Sequence, residues 1–333
     1  MTTVKILAIE TSCDETAAAV SANEAILSNI VRTQVDIHAA YGGVVPEIAS
    51  RSHLEALPAV IDMALSEAGE SFETLDAIAV TYGPGLIGAL LAGLSYAKSL
   101  AFALGIKLIG VNHLVGHISA GFLCGARPPL ICLIASGGHT KIVLVKGYTS
   151  FEVLGRTVDD AAGEALDKVA RSLGLGYPGG PKLDELAGYG DSSAITFPRP
   201  KLSEENFDFS FSGLKSAVLN YLNISQMRGS VIVREDVGAS FRRAVVDVLV
   251  EKTMRAARLH SVRHILICGG VSRSVLLRNE FSRRCHETGY ILTIPSVELC
   301  SDNAAMIAAS AYRQYLAGDF AEMGLNADPS LDL

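Results

Sequence analysis

Two histidines four residues apart could form a metal site in this sequence. They are His113 and His117, in the run Val-Asn-His-Leu-Val-Gly-His. On a helix, that spacing places both imidazoles on one face about one turn apart, where they can hold one divalent transition metal. Leu114 follows His113, so the Glu that serves as general base in the H-E-x-x-H helix of metalloproteases is missing. The spacing alone does not exclude a purely structural role, in which one histidine caps a helix and the other packs in the core.

Two short polar turns, each between apolar strands, could bind phosphate. The first is Glu10-Thr-Ser-Cys-Asp-Glu-Thr16, and the second is Ser136-Gly-Gly-His-Thr140. Such turns offer backbone N–H groups and hydroxyls to an anion. One copy would be typical of an ordinary hairpin. Two copies, one near the start of each half, indicate an internal repeat and favour a duplicated, two-lobed phosphate-binding fold.

Strand and helix patterns along the rest of the chain indicate an α/β protein. Apolar runs at 75–80, 106–111 and 264–268 predict strands. In open α/β sheets, ligands gather outside the carboxyl ends of strands, which favours a functional role for the histidines after 106–111. The Gly269-Gly270 turn follows the last strand and would let backbone approach a base or sugar closely. This turn and the one at Ser136 are predicted to line opposite ends of one nucleotide cleft.

Two aspartates near predicted helix starts are further candidates. Asp167 belongs to an acidic helical run at 159–168, and Asp302 opens the last long helix. Asp167 could face a ligand, and an ordinary surface acid is the alternative. For Asp302 the alternative is a helix N-cap. The chain after Gly318 is predicted to be poorly ordered.

Composition narrows the class of protein. The net charge of −7 argues against non-specific coating of nucleic acid, although a local basic surface remains open because arginines cluster between 242 and 284. The six cysteines form no C-x-x-C pair, and no secretory signal is evident, which predicts reduced thiols in a cytoplasmic protein. The apolar stretch 86–104 contains Lys98 and two glycines. It predicts a buried helix rather than a membrane span, with part of its surface, beside a helix at 54–61, packing against a second protein.

A series of ordered motifs carries a family resemblance. They are Ile9-Glu-Thr-Ser-Cys-Asp-Glu-Thr16, Tyr41-Gly-Gly-Val-Val-Pro-Glu47, Gly83-Pro-Gly85, His113-x-x-Gly-His117, Ser136-Gly-Gly-His-Thr140, Asp159-Asp-Ala-Ala-Gly-Glu164, Tyr177-Pro-Gly-Gly-Pro181, Phe209-Ser-Phe-Ser-Gly-Leu-Lys215, Gly269-Gly-Val-Ser272 and Asp302-Asn303. Together they resemble the TsaD family, the bacterial tRNA N6-adenosine threonylcarbamoyltransferases. The match runs from Ile6 to about Tyr312. Each motif is weak alone, but their joint order is highly specific.

The resemblance implies a two-lobed, actin-like α/β fold of the sugar-kinase superfamily, with duplicated mixed sheets flanked by helices. The expected division is an N-terminal lobe at 1–127, a C-terminal lobe at 128–299, and a helix at 300–333 that returns to the N-terminal lobe. The implied reaction moves the threonylcarbamoyl group of threonylcarbamoyl-AMP to N6 of adenosine 37. The acceptors are tRNAs that read ANN codons, and the product is t6A.

The resemblance also assigns ligands to positions in this chain. One iron(II) or zinc ion per subunit is expected at His113, His117 and Asp302. Contacts to the donor and its adenine nucleotide are expected from Ile134, Ala135, Ser136, Gly137, Gly138, Asp167, Gly180, Asp184 and the position of Ser274. The family usually has Asn at that last position, and a serine hydroxyl has a shorter reach and one donor where the amide has two.

Further expectations concern the proton acceptor and the partner proteins. Asp14 or Glu15 could accept the proton from the adenosine amine, while capping the turn or holding a phosphate-bound cation is the alternative role. The family implies TsaB and TsaE as partners, with a homodimer where TsaB is missing, and no membrane association. Two other functions remain open. A small-molecule kinase of this fold would not explain the histidine pair, and a non-catalytic ATP-binding subunit would not explain its combination with Asp302.

Overall fold

Two five-stranded mixed sheets form the framework of the protein, which is described by a computed structural model over residues 3–200 and 206–333. The chain divides into two compact units. The N-terminal unit comprises Met1–Gly125 with Pro295–Leu333, and the C-terminal unit comprises Ala126–Ile294.

The sheet of the N-terminal unit places the ends of three parallel strands together. Its strands are β1 (Lys5–Glu10), β2 (Glu15–Ala22), β3 (Ala25–Thr33), β4 (Ala77–Gly83) and β5 (Lys107–Asn112). Their order is β3-β2-β1-β4-β5, with β1, β4 and β5 mutually parallel and β2 antiparallel to both of its neighbours. The carboxyl ends of β1, β4 and β5 therefore share one edge. Glu10 ends β1 there and accepts a hydrogen bond from the Thr81 hydroxyl of β4, and Asn112 ends β5.

Helices cover both faces of this sheet. The first four are α1 (Val35–Ala39), α2 (Pro46–Ala68), α3 (Ile87–Leu104) and α4 (His113–Leu123). Alternate strand residues pack on α2 and α3, as Leu7 and Ile9 do against Leu57 and Leu94. With both faces buried, the central strands consist of nearly continuous apolar residues, which is why their pattern was visible in the sequence.

The C-terminal unit repeats the same topology. Its elements are β6 (Leu130–Ala135), β7 (Thr140–Gly147), β8 (Ser150–Arg156), α5 (Ala162–Ser172), α6 (Gly179–Ala187), α7 (Ser212–Met227), α8 (Arg234–Leu259), β9 (His264–Cys268), α9 (Val275–Thr288) and β10 (Ile291–Thr293). The strand order is β10-β9-β6-β7-β8, with β6, β9 and β10 parallel and β7 antiparallel to both neighbours. The pattern of the first sheet is thus duplicated, and the predicted fold class is confirmed.

The end of the chain returns to the N-terminal unit. A short helix α10 (Val297–Cys300) precedes α11 (Ala304–Ala317), which packs on the sheet face opposite α2 and α3, beside α4. The prediction that the chain after Gly318 is poorly ordered is wrong. The Ala321 N–H donates to the Leu108 carbonyl and the Asp328 N–H to that of Tyr82, so the tail follows the ends of β4 and β5.

The apolar helix α3 is only partly covered within its own unit. It has 18 residues and could span a membrane by length and composition alone, yet it packs against α2 and β4. On α3, Leu91 is 41% exposed and Phe102 is 79% exposed. On α2, Leu54 is 60% exposed and Met63 is 56% exposed. The uncovered side chains on the adjoining sides of α2 and α3 form what we call the α2–α3 patch: Leu54, Ile87, Leu91 and Phe102.

Candidate functional site

The two histidines occupy the first turn and a half of α4. The Asn112 side chain accepts hydrogen bonds from the N–H groups of Leu114 and Val115, so it caps the helix where β5 ends. His113 is consequently the first helical residue, and His117 follows one turn later. Both side chains are buried, and their ring centroids lie 4.7 Å apart with the planes nearly perpendicular.

Asp302 reaches these histidines because it precedes α11, which packs beside α4. The N-cap interpretation of Asp302 is wrong, since the Asn303 side chain accepts the hydrogen bond from the Met306 N–H and caps the helix. The Asp302 Oδ1 atom lies 3.2 Å from His117 Nε2 and 3.6 Å from His113 Nε2. One ligand atom from each of the three side chains lies within 4.8 Å of the others.

This arrangement fits a divalent transition metal. His117 is fully buried, and neither of its ring nitrogens makes a hydrogen bond among the residues that the structure describes. Its 3.2 Å approach to Asp302 lacks the direction of a hydrogen bond. A buried nitrogen without a partner costs free energy that a cation would recover. Two imidazoles and one carboxylate are a donor set suited to zinc or iron(II).

Carboxylates give this edge of the sheet a negative character. Burial alone would lower the pKa of His113, but the charges of Asp302 and Glu10 raise it to about 9. At the start of β2, burial and then the charges of Asp302 and Asp14 raise the pKa of the Glu15 carboxyl well above its ordinary value. Asp14 is buried in the turn between β1 and β2. Both predicted proton acceptors therefore belong to the same unit as the histidines.

Glu10 also lies beside the histidines, although the sequence predicted no individual role for it beyond its place in the first polar turn. Its side chain is fully buried at the end of β1, and its Oε2 atom lies 3.2 Å from Nδ1 of His113. An acidic residue that directly ends an apolar strand is the signal that could have identified it, because a buried carboxylate needs specific partners.

A second set of predicted residues lies in the C-terminal unit, around the turn after β6. Ile134 and Ala135 end this strand, and Ser136 to Gly138 form the turn. The Ser136 N–H donates to the His139 carbonyl over 2.8 Å, and the His139 N–H donates to the Ser136 hydroxyl over 3.1 Å. At Gly137 and Gly138 an added Cβ would meet no atom within 4 Å, so their surroundings are open.

The start of α5 lies directly against this turn. The Gly163 N–H donates to the Ser136 carbonyl, and a Cβ on Gly163 would lie only 2.5 Å from that oxygen. A helix N-terminus carries partial positive charge, so the turn and α5 together form a place where an anionic group can bind.

The Gly269 turn lies beside the Ser136 turn. Strands β6 and β9 are parallel neighbours, with Ile134 opposite Cys268. Gly269 has a φ of 87°, and a Cβ there would lie 2.5 Å from the Ala135 carbonyl oxygen, so only glycine fits. The two turns are adjacent at one end of one sheet. The prediction that they line opposite ends of a cleft is therefore wrong.

Asp167 and Gly180 contact each other. The Asp167 Oδ1 atom accepts hydrogen bonds from the N–H groups of Gly179 over 2.9 Å and Gly180 over 2.8 Å, at the first turn of α6. This carboxylate oxygen therefore stabilises a helix start in the structure, in addition to any role with a ligand.

Arg242 lies between Asp184 and Ser274, although the sequence predicted it to be part of a basic surface for RNA. Arg242, on α8, is buried, and its Nε lies 2.6 Å from Asp184 Oδ1 while its Nη2 lies 3.4 Å from Ser274 Oγ. Burial raises the pKa of the Asp184 carboxyl, against the opposing effects of Arg242 and Ser274. Because its charge is buried and paired, Arg242 is a poor candidate for an exposed RNA contact.

Other members of the arginine cluster pair with acids of the same unit. Arg243 contacts Asp247 and Glu280, and Arg283 contacts Glu280 and Glu287. Arg284 contacts Glu251. These ion pairs reduce the basic surface that the run of arginines suggested.

A family model and two similar proteins carry the same description. A family model described as TsaD, tRNA N6-adenosine threonylcarbamoyltransferase, matches residues 25–309. A protein of Clostridium perfringens (strain SM101 / Type A) named tRNA N6-adenosine threonylcarbamoyltransferase is 55% identical over 331 residues, 98% of each chain. A protein of the same name from Clostridium botulinum (strain 657 / Type Ba4) is 54% identical over 99% of this chain and 98% of its own. Full-length HypF in a phosphate- and nucleotide-bound form is similar in fold, with a TM-score of 0.65 at 14% identity over 96% of this chain and 56% of HypF.

Proposed function

The chain belongs to the TsaD family of tRNA N6-adenosine threonylcarbamoyltransferases, and from that premise we propose its substrates and the roles of its residues. It is a transferase that modifies tRNA. The proposed donor is threonylcarbamoyl-AMP, and the acceptor is N6 of adenosine 37 in tRNAs that read ANN codons. The convergence of His113, His117 and Asp302 in one buried site carries this proposal, because neither a small-molecule kinase nor a non-catalytic subunit would need it.

The three converging side chains are the proposed ligands of one iron(II) or zinc ion. When bound, the cation would supply a Lewis acid for the carbamoyl carbonyl of the donor. The burial of both imidazoles and the lack of hydrogen-bond partners on His117 support this assignment.

The adenylate portion of the donor is assigned to residues of the C-terminal unit. The open turn from Ser136 to Gly138 and the start of α5 would bind its phosphate through backbone N–H groups and the Ser136 hydroxyl. The remaining proposed contacts come from the end of β6, from α5 and α6, and from the residue that precedes α9: Ile134, Ala135, Asp167, Gly180, Asp184 and Ser274.

The transfer step requires a proton acceptor but no covalent nucleophile on the protein. The N6 amine attacks the carbamoyl carbon and forms a C–N bond. The bond between that carbon and the phosphate oxygen of AMP breaks, and AMP leaves with the bonding electrons. The amine must lose one proton. Glu15 is the proposed acceptor, because a carboxyl with a raised pKa is a more effective base near neutral pH than an ordinary one, and Asp14 is the second candidate.

The proposed partners are TsaB and TsaE in the cytoplasm. The α2–α3 patch is the proposed surface for TsaB, or for a second copy of the chain where TsaB is missing. Its apolar side chains are too large and too exposed to be explained by packing within the N-terminal unit alone.

The experiment is reconstitution followed by nucleoside analysis. The purified chain, TsaB, TsaE, threonylcarbamoyl-AMP and an ANN-decoding tRNA are incubated, and the digested tRNA is analysed for t6A. The wild type and the exposed control His286→Ala should form t6A, whereas His117→Ala should lose most of the activity. Absence of t6A with the wild type, or full activity of His117→Ala, would contradict the proposal.

A further inference from the structure

Glu10 is a fully buried carboxylate surrounded by hydrogen-bond donors. The Ser12 N–H donates to Oε1, and the Thr81 hydroxyl donates to Oε2. The His113 Nδ1 atom lies 3.2 Å from the same Oε2 atom. An ionised carboxylate can only accept hydrogen bonds, and three donors around it offset much of the cost of burying its charge.

These contacts determine which nitrogen of His113 carries a proton. The Ser12 hydroxyl also lies 3.1 Å from His113 Nδ1 and can either donate or accept, whereas the Glu10 carboxylate can only accept. Both contacts are satisfied together when Nδ1 is protonated and donates. In the neutral ring the lone pair then lies on Nε2, which is the nitrogen 3.6 Å from Asp302 Oδ1. His117 has no comparable partner, since neither of its nitrogens is hydrogen-bonded within the described part of the chain.

We propose that Glu10 is a positioning residue that holds His113 in the tautomer and orientation needed to bind a divalent metal. This inference rests on the proposed metal site at His113, His117 and Asp302. A histidine ligand commonly donates its other N–H to a carboxylate, which orients the ring and raises its basicity as a ligand. Because the end of β1 is fixed in the centre of the sheet, Glu10 offers His113 a rigid acceptor.

Replacing Glu10 with glutamine tests this role at nearly constant volume. An amide presents one oxygen and an NH2 group to the three donors, so one donor must face another. If the NH2 group faces His113, it donates to Nδ1 and leaves the proton on Nε2, where it blocks metal binding. If the amide oxygen faces His113, the NH2 group lies against the Ser12 N–H, and the end of β1 must shift.

The experiment measures zinc binding by metal-free protein in competition with a chromophoric chelator. Loss of such an outer partner costs about 10- to 100-fold in metal affinity, and that loss is expected for Glu10→Gln. Glu10→Asp keeps the charge but shortens the side chain, so it should recover part of the affinity. The matched control is Glu55→Gln, the same change at an exposed position of α2, and its zinc affinity should equal that of the wild type.

A spectroscopic measurement separates positioning from a general structural role. In the zinc-bound wild type, nitrogen NMR should show His113 protonated at Nδ1 and coordinated through Nε2, whereas coordination through Nδ1 would overturn the inference. Equal zinc affinity of wild type and Glu10→Gln would overturn it while leaving the metal site intact. No zinc binding by the wild type would overturn both. If circular dichroism shows that Glu10→Gln does not fold, Glu10→Asp becomes the test. Zinc affinity equal to that of the wild type in Glu10→Asp would then overturn the inference.

Discussion

Replacing Ser274 with asparagine, the residue usual in the family, tests the proposal that position 274 contacts the donor nucleotide. Ser274 Oγ lies 3.4 Å from Nη2 of Arg242, whose Nε lies 2.6 Å from Asp184. In Ser274→Asn the longer amide can accept from the Arg242 guanidinium and still present an NH2 group to the nucleotide. The change should therefore add one hydrogen bond without removing the Arg242–Asp184 pair.

The expected magnitude follows from one neutral hydrogen bond. A net gain of about 0.5–1.5 kcal/mol corresponds to a roughly two- to tenfold lower dissociation constant for an adenine nucleotide. The gain should fall within this range because Arg242 is buried and therefore holds the acceptor side of the amide in one orientation.

Isothermal titration calorimetry with AMP is the assay. The matched control is Val275→Asn, which places the same amide on the adjacent, 65% exposed position and should leave the affinity unchanged. Unchanged affinity of Ser274→Asn would mean that Arg242 already supplies the missing contact. A loss of affinity would refute the assignment of position 274 to the nucleotide site.

Three further predictions concern other parts of the molecule. The pKa of His113 in the metal-free protein is raised to about 9, so zinc must displace a proton from this side chain at any lower pH. The apparent zinc affinity should therefore rise with pH, by up to about tenfold per unit, and level off near pH 9. Competition titrations across this range test the prediction, and a pH-independent affinity would contradict it. Leu91→Glu should weaken association with the proposed partner TsaB by about tenfold or more, because a charge would be buried in the contact, and should leave nucleotide binding unchanged. The control Leu219→Glu, at an exposed position of α7, should associate like the wild type, and unchanged association of Leu91→Glu would place the interface elsewhere. Gly163→Ala should weaken AMP binding, because the added Cβ would lie 2.5 Å from the Ser136 carbonyl oxygen and displace the turn. Calorimetry measures this affinity, and wild-type affinity in a folded variant would contradict the role of the turn.

Local patterns in the sequence determined the elements and much of the fold class. Continuous apolar runs identified β1, β4, β5, β6 and β9, because strands buried on both faces need no polar alternation. The repeated strand-turn-strand phrase predicted the duplication, which the matching strand orders of the two sheets confirm. The spacing of His113 and His117 placed both on one helical face, since that relation depends only on the period of the helix.

Only the tertiary structure decided which distant side chains meet. Spacing along the chain could not bring Asp302 to the histidines. The packing of α11 beside α4 does so, and Asn303 takes the capping role that the sequence pattern had left open for Asp302. Likewise, the parallel order of β1, β4 and β5 brings Glu10 to His113, although 103 positions separate them. The arginines of α8 and α9 illustrate the same limit, because sequence gives their charge but only packing shows that Arg242 is buried against Asp184. Periodicity is a local property of the backbone, whereas burial and pairing depend on contacts that the completed fold creates.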